Sequence, residues 1–362
     1  FDLVGVAPAE RAPHADAYAL WVDAGYAATM GYMARDVPRR QDPRHVLPGA
    51  RSVIVAGLSY YVLDPPTDLW DDPARGRIAR YAWGMDYHDV MTPRLRQLAE
   101  FITRQTRHEV QSRAYVDTGP ILERDFAAQA GLGFIGKNTC LITPTMGSFL
   151  FLGELLLDLE LDYDAPAIDS GAAIVFEAKP RPITQRGKKS TSATCQSGTR
   201  RLGTCGACTR CLETCPTRAF PAPYVLDGNR CISYLTIELK RSIPVELRSL
   251  MGNWIFGCDV CQSICPWPRR FAQPTRLNFL HFDPEYAAPK LLDLIGLRDD
   301  EFRTRFRRTP LWRARRRGLL RNVAVALGNW GSPRAIPALK RALDDPEPLI
   351  RKHAAWALTQ IQ

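Results

Sequence analysis

Eight of the ten cysteines in this 362-residue chain fall in one segment, in the order Cys205-x2-Cys208-x2-Cys211-x3-Cys215-Pro216, then Cys231, then Cys258-x2-Cys261-x3-Cys265-Pro266. Thiolates are soft ligands, and three at x2 spacing followed by a Cys-Pro is the spacing of bacterial ferredoxins, where the fourth cysteine of a run serves the other cluster. Sharing the ligands in that crossed manner gives Cys205, Cys208, Cys211 and Cys265 to one [4Fe–4S] cubane. Cys215, Cys231, Cys258 and Cys261 then hold a second. Structural zinc favours separated C-x2-C pairs, and disulfides do not persist in a reducing compartment. A radical-SAM motif needs C-x3-C-x2-C, which fails because Arg218 and Pro268 stand where the third thiolate belongs. Cys140 and Cys195 lie outside the pattern, as buried or incidental thiols.

Two clusters move electrons one at a time, so the chain is a carrier or an enzyme with an internal wire. The large α/β domain ahead of the clusters favours the enzyme, and 362 residues predict two or three domains at roughly 150 residues each. Hydrophobic residues at 46% and charged residues at 24% exclude a disordered or fibrous chain. The formal charge of +10 points to an anionic partner. The apolar stretches at 52–63 and 149–157 fall short of the ~20 residues of a membrane span, and Glu154 interrupts the second. No membrane partner is expected. The N-terminus carries no basic region, apolar signal core or twin arginine, which places the chain in the cytoplasm, and its strand-like start without Met implies that a few upstream residues are missing.

Along the chain, hydrophobic periodicity predicts a strand over 52–61, a helix over 93–106, a strand over 114–117 and a helix over 123–130. Gly131 to Asn138 form a Gly-rich turn whose spacing matches neither the dinucleotide fingerprint nor the phosphate-binding loop. The turn either admits a ligand to the backbone or is a plain turn. Residues 164–203 change texture to Ser, Thr, Lys, Arg and Gln and read as an atypical loop or insertion. Residues 276–362 read as a linker and paired helices, Leu319–Leu327 and Leu349–Leu358, with another helix over 332–343 between them. Such helices bury their apolar faces by stacking, as HEAT repeats do.

Four motifs then carry a resemblance: Tyr115-Val116-Asp117-Thr118-Gly119-Pro120-Ile121-Leu122-Glu123-Arg124, the Gly131–Asn138 turn, Arg230-Cys231-Ile232-Ser233-Tyr234-Leu235-Thr236-Ile237-Glu238, and Gly257-Cys258-Asp259-Val260-Cys261-Gln262. With the HEAT-like tail, they resemble the epoxyqueuosine reductase family over nearly the whole chain. The resemblance implies an α+β fold: an α/β cobalamin-binding catalytic domain at 1–163, the insertion at 164–203, a ferredoxin-like domain with two [4Fe–4S] clusters at 204–275, and a HEAT-like, tRNA-binding region at 276–362. It also implies reduction of epoxyqueuosine to queuosine at the wobble position of tRNA, the last step of queuosine synthesis. Cobalamin is expected base-off, which agrees with the missing Asp-x-His-x2-Gly pattern: Met91 stands in the glycine's place after Asp86-Tyr87-His88.

By motif position the resemblance makes Asp117 the proton donor and a cofactor contact, kept protonated for part of the cycle by burial against corrin and substrate. Arg80, Lys137, Asn138, Ser233 and Asp259 become further cofactor contacts. Lys240 and Arg241 become tRNA contacts. The second cluster is placed nearer the cobalt, because Ser233 and Asp259 flank its ligands, and the first receives electrons from an external low-potential donor. The run from Phe302 to Arg321 holds no acid, and its Arg307, Arg308, Arg315, Arg316 and Arg317 suit phosphate and base contact around Trp312. A monomer is expected. The rival readings are another cobalamin and iron–sulfur reductase of the reductive dehalogenase kind, and a ferredoxin-like carrier fused to a tRNA-binding repeat.

Overall fold

The computed structural model describes residues 1–106, 109–166, 204–278, 280 and 283–361, so most of the expected insertion, with Cys195, lies outside the described residues. Its strands are β1 (Leu3–Pro8), β2 (Ser52–Ser59), β3 (Arg77–Ile78), β4 (Ser112–Tyr115), β5 (Phe134–Ile135), β6 (Leu141–Ile142), β7 (Leu150–Leu157) and β8 (Trp254–Phe256). Four of them form a sheet in the order β1-β2-β7-β4, antiparallel throughout. Alternating helices and strands in the sequence therefore build an α+β layer here without parallel crossovers.

Both faces of this sheet are covered, which explains why β2 is buried along its whole length. The pleat sends Val53 and Val55 to one side, among Ile121, Phe126, Ala127 and Leu156. Ile54, Ala56 and Leu58 go to the other, among Met91, Leu95, Leu155 and Leu157. Helix Glu123–Gln129 covers the first face and helix His88–Thr106 the second. The latter begins at His88 instead of the expected residue 93. Met91 and Leu95 lie on one helical face and are both fully buried, and this packing holds the turn ahead of Pro93 even though proline supplies no backbone donor. The strand expected over 114–117 is Ser112–Tyr115, because Asp117 takes a left-handed φ of 58° and ends the extension.

The Gly-rich turn is closely packed at Gly133. It leads into the β5–β6 hairpin, and a Cβ on Gly133 would lie 2.3 Å from the Ile142 carbonyl oxygen. At Gly133 the missing side chain admits the neighbouring strand.

The C-terminal helices Arg315–Trp330, Ile336–Ala342 and Pro348–Gln360 stack on one another. The first is buried from Gly318 to Gly328 and fixes the cysteine segment from behind. Asn322, fully buried, donates to the Thr236 carbonyl (2.9 Å) and the Ile255 carbonyl (2.8 Å) and accepts from Arg321 (2.8 and 3.0 Å). Replacing Asn322 by Ala strands these buried groups at about 1–3 kcal/mol apiece. We expect a thermal midpoint lowered by several degrees, read by calorimetry, with helix content retained. Among the described residues no helix is long and apolar enough to cross a membrane.

Candidate functional site

The eight cysteines separate into two neighbourhoods. Cys205, Cys208, Cys211 and Cys265 line one cavity together with Asn138, Ile142, Arg210, Pro266 and Trp267. Burial pushes the Cys265 thiol up to about 11, and its ionisation is further opposed by the sulfurs of Cys205, Cys211 and Cys208 close by. Cys215, Cys231, Cys258 and Cys261 form the other: Cys258 feels Cys231 and Cys215, and Cys261 feels Cys258 and Cys231. Among the described residues no three His, Cys, Asp or Glu side chains are gathered tightly enough for a single metal ion. Four thiols around a cavity are the donor set of a soft, multi-iron group, which converts such buried thiols to thiolates on binding.

The local fold explains this grouping. Cys231 and Cys265 each stand immediately before a short helix, Ile232–Ile237 and Pro266–Phe271. Gly257, at φ 67°, lets the chain pass Ala79, whose Cβ would lie 2.5 Å from a Cβ placed there. The Gly257 amide donates to the buried Thr236 hydroxyl at 2.9 Å, tying the Cys231 helix to the Cys258 turn. Amides also reach two sulfurs, from Lys137 to Cys205 (3.4 Å) and from Ala219 to Cys215 (3.3 Å). Such bonds stabilise negative charge on a ligand sulfur.

Asp117 stands at an open face, with its side chain 46% exposed. Its Oδ2 accepts from the Tyr87 hydroxyl (2.8 Å) and from Arg313 (3.0 Å). Burial first, and then the Asp117 charge, raise the Tyr87 phenol far above its usual range, so it stays a donor. Arg313 also lies 3.1 Å from His88 Nε2, and His88 Nδ1 lies 2.6 Å from Asp86. A neutral ring protonated at Nδ1 satisfies both contacts. Tyr81, half-buried, has its ring edge-on to that of Tyr87, with centroids 6.3 Å apart, and its Cε1 would lie 3.3 Å from a Cβ placed on Gly257, the residue before Cys258. It links the open face to the second cysteine neighbourhood. The burial expected at Asp117 is not provided by the chain alone.

Several expected cofactor contacts are already committed to the protein. Arg80 is 4% exposed; its guanidinium donates to Val62 (3.2 Å), Ser263 (3.1 Å) and Asp64, and is surrounded by the rings of Tyr61, Trp83 and Phe149. Its amide donates to Asp259 at 2.8 Å. Asp259 is buried, and burial raises its carboxyl against the opposing pull of Arg80. Lys137 reaches the Gly206 and Cys208 carbonyls (2.7 and 3.1 Å), beside the first cysteine neighbourhood. Asn138 donates to the Cys261 carbonyl at 3.2 Å, between the two. These four residues thus hold the cysteine loops; motif position alone pointed them outward. Ser233 is half-buried on the Cys231 helix.

The arginine run is not one basic face. It is broken between helix Asp299–Phe306 and helix Arg315–Trp330 by a tight turn at Pro310–Ala314. Arg307, Arg308, Arg315 and Arg317 are exposed, and Arg315 lies over the Trp312 ring. Arg316 turns inward instead, to Asp345 and the Leu297 carbonyl (2.6 Å). Lys240 caps the Ile237 carbonyl (2.7 Å) and reaches Arg313 (3.1 Å), and Arg241, exposed, presents its carbonyl to Arg321 (2.8 Å). Arg313 and Tyr87 at Asp117 were not singled out from the sequence. Cys140 was set aside, yet its thiol shares a hydrogen bond with Cys261.

Three family models match: Epoxyqueuosine reductase QueG, DUF1730 over residues 40–118, a 4Fe-4S double cluster binding domain over 204–268, and HEAT repeats over 313–362. An epoxyqueuosine reductase of Pseudomonas aeruginosa is 40% identical over 99% of this chain and 90% of its own length. A crystal structure of epoxyqueuosine reductase with a tRNA-Tyr epoxyqueuosine-modified stem loop superposes with a TM-score of 0.82 at 30% identity, covering 99% of this chain and 86% of that one. The epoxyqueuosine reductase of Bacillus subtilis, solved with the catalytic loop of an aspartate swung out of its active site, gives 0.81 at 30% identity, with the same coverage of 99% and 86%.

Proposed function

The chain belongs to the epoxyqueuosine reductase family, oxidoreductases that act on tRNA, and on that premise we propose how its own residues carry out the reaction. The observation that carries the proposal is the placement of Asp117: half-exposed on a left-handed turn, gripped by Tyr87 and Arg313, and linked through Tyr81 to the turn that bears Cys258 and Cys261. The membership sets aside the dehalogenase-like and carrier alternatives.

The two cysteine neighbourhoods are assigned to two [4Fe–4S] clusters in the crossed arrangement, Cys205, Cys208, Cys211 and Cys265 for one and Cys215, Cys231, Cys258 and Cys261 for the other. The fit of a base-off cobalamin to the Asp117 face rests on His88: among the described residues it is the histidine of this face, and its two ring nitrogens are already engaged by Asp86 and Arg313. Asp117 and Ser233 would touch the cofactor directly. Arg80, Asp259, Lys137 and Asn138 would act from behind, by holding the cluster loops. The chemistry a bound cobalamin supplies is delivery of electrons to the epoxide carbon.

The chain's residues then handle protons and position. Opening the epoxide breaks a C–O bond, and the departing oxygen needs an acid in place as charge develops on it. Asp117 gives that proton. Tyr87, a permanent donor, and Arg313 fix which Asp117 oxygen faces the site. Across both steps two electrons and two protons convert the epoxide to an alkene and water. The electrons come from an external low-potential one-electron donor, and the chain acts as a cytoplasmic monomer, where its tRNA is found.

The tRNA is held by the exposed Arg307, Arg308, Arg315 and Arg317 with Lys240 and Arg241, while Arg316 supports them from inside. Guanidiniums on phosphates displace counterions, so stem-loop affinity should fall steeply as salt rises, with a log–log slope of about −0.7 per phosphate contact. An R307A/R308A double variant should flatten that slope by about one to two units in a filter-binding titration; a wild-type affinity indifferent to salt would count against phosphate contact. The activity itself is tested by anaerobic incubation of cluster-loaded chain, cobalamin and a one-electron reductant with an epoxyqueuosine stem loop. Nucleoside mass analysis should show the loss of one oxygen, and no loss with fully loaded protein would overturn the assignment.

A further inference from the structure

The cavity lined by Cys205, Cys208, Cys211 and Cys265 reaches the molecular surface, since Arg210 and Pro266 on its wall are exposed. In the two segments that carry these cysteines, 204–214 and 265–271, the charged residues are Arg210, Arg269 and Arg270 against Glu213 alone. All three arginines are exposed, and among the described residues none of them is paired with a carboxylate. Glu213 instead accepts from the Thr209 hydroxyl at 2.6 Å. Lys137 adds a fourth positive charge, its ammonium held over the same loop by the Gly206 and Cys208 carbonyls.

Aromatic rings join these charges into one patch. Trp267 lines the cavity opposite Arg210, meets Phe134 edge-on at 5.4 Å and lies 5.5 Å from Phe271, and the Arg270 guanidinium sits over the Phe271 ring at 5.3 Å. Helix Pro266–Phe271 is anchored on its inner side, where Pro268 is buried and its Cα would lie 2.5 Å from a Cβ placed on Gly147. That anchorage leaves Arg269 and Arg270 facing solvent, beside the half-buried rings of Trp267 and Phe271. The arginines assigned to tRNA lie elsewhere, around Trp312 and Lys240, next to Arg313 at Asp117. Asn138 stands between the two cysteine sets, on the wall of this cavity and bonded to the Cys261 carbonyl.

We propose that this basic rim around Trp267 and Phe271 is the docking surface for an acidic, one-electron carrier protein of low potential. The inference rests on the reading above, in which electrons enter at the Cys205 set and leave toward Asp117. Exposed guanidiniums without acid partners attract an anionic protein from a distance and orient it as it arrives. The two rings supply a small apolar centre, which suits the limited interfaces of proteins that meet only long enough to pass an electron. Each docking oxidises the carrier by one electron and reduces the chain by one, with no bond made or broken. Two dockings supply the two electrons that epoxide reduction consumes.

The test uses the full chain, loaded with clusters and cobalamin, and an acidic plant-type [2Fe–2S] ferredoxin of about −400 mV as the probe. The variants are R269E/R270E, which reverses the charge on helix Pro266–Phe271, and R210Q, which leaves that helix untouched. The first readout is binding without turnover, by titration calorimetry. Wild-type affinity for the ferredoxin should fall as salt rises; R269E/R270E should raise the Kd by about tenfold or more and R210Q by about threefold. The second readout is turnover. With ferredoxin as donor, the KM for ferredoxin should rise in step with the Kd, whereas turnover with a small chemical reductant, iron content and affinity for intact tRNA should stay at wild-type levels.

Ferredoxin binding that is absent, indifferent to salt or unchanged in both variants would overturn the docking surface. A loss of affinity for intact tRNA in R269E/R270E, with ferredoxin binding intact, would also overturn it and give the patch to RNA. A wild-type chain that leaves epoxyqueuosine untouched even with the small reductant would instead condemn the functional reading on which the docking surface depends.

Discussion

Asp117→Asn should lower epoxide reduction by about 10²–10⁴-fold while iron content and stem-loop affinity stay at wild-type levels. The substitution is chosen for its backbone as much as for its chemistry. Asp117 has a φ of 58°, and asparagine adopts that region more readily than alanine does, so little new strain is introduced. The amide oxygen can still accept from Tyr87 and Arg313, which keeps the turn in place. The ion pair with Arg313 is lost, but at a side chain 46% exposed its worth is about 0–1 kcal/mol. What disappears is the acidic proton, at the moment when the ring oxygen must leave. Single-turnover nucleoside analysis reads the effect, and a near-normal rate would remove Asp117 from the acid role.

The cysteine grouping was legible in the sequence because ligand spacing is a local property, and the crossed sharing follows from the Cys-Pro that ends each run. The structure brings together the same two sets of four thiols. Direction was much less legible. Arg80, Lys137 and Arg316 stand at motif positions or in a basic run that invite a ligand, yet their charged groups end on protein carbonyls and carboxylates. Residue type does not say which way a long side chain points once a turn such as Pro310–Ala314 interrupts helical periodicity. Arg321 makes the point most sharply: it closes the same arginine run, is 0% exposed, and donates to the carbonyls of Leu235, Leu239 and Arg241. Glu154 read only as an interruption of an apolar stretch. Its full burial, opposite Val55 of β2 and Tyr115 of β4, needed the strand register, which is a long-range fact.

The second large effect concerns the order of the two cysteine sets. Cys258→Ala should remove about half the iron, roughly four atoms of eight, and abolish epoxide reduction even with a small, strong chemical reductant. Alanine fits the site sterically: Cys258 packs on the Ile232, Leu235 and Met251 cluster, and the Gly257 amide keeps its bond to Thr236, so the fold and stem-loop binding should survive. The set containing Cys258 lies beside Asp259, whose carboxyl is tied to the Arg80 amide one residue before Tyr81, and Tyr81 leads through Tyr87 to Asp117. On the proposed reading, electrons bound for the Asp117 face leave from there. Cys208→Ala should also remove about half the iron, but it strips the set on the far side of Asn138, next to Lys137 and Trp267. A small reductant can then feed the remaining cluster directly, so measurable turnover should persist with that reductant and fail with a protein donor that needs the outer cluster. Iron analysis paired with turnover under both reductants distinguishes the two variants. If Cys258→Ala kept chemically driven activity and Cys208→Ala lost it, the order of the wire would have to be reversed.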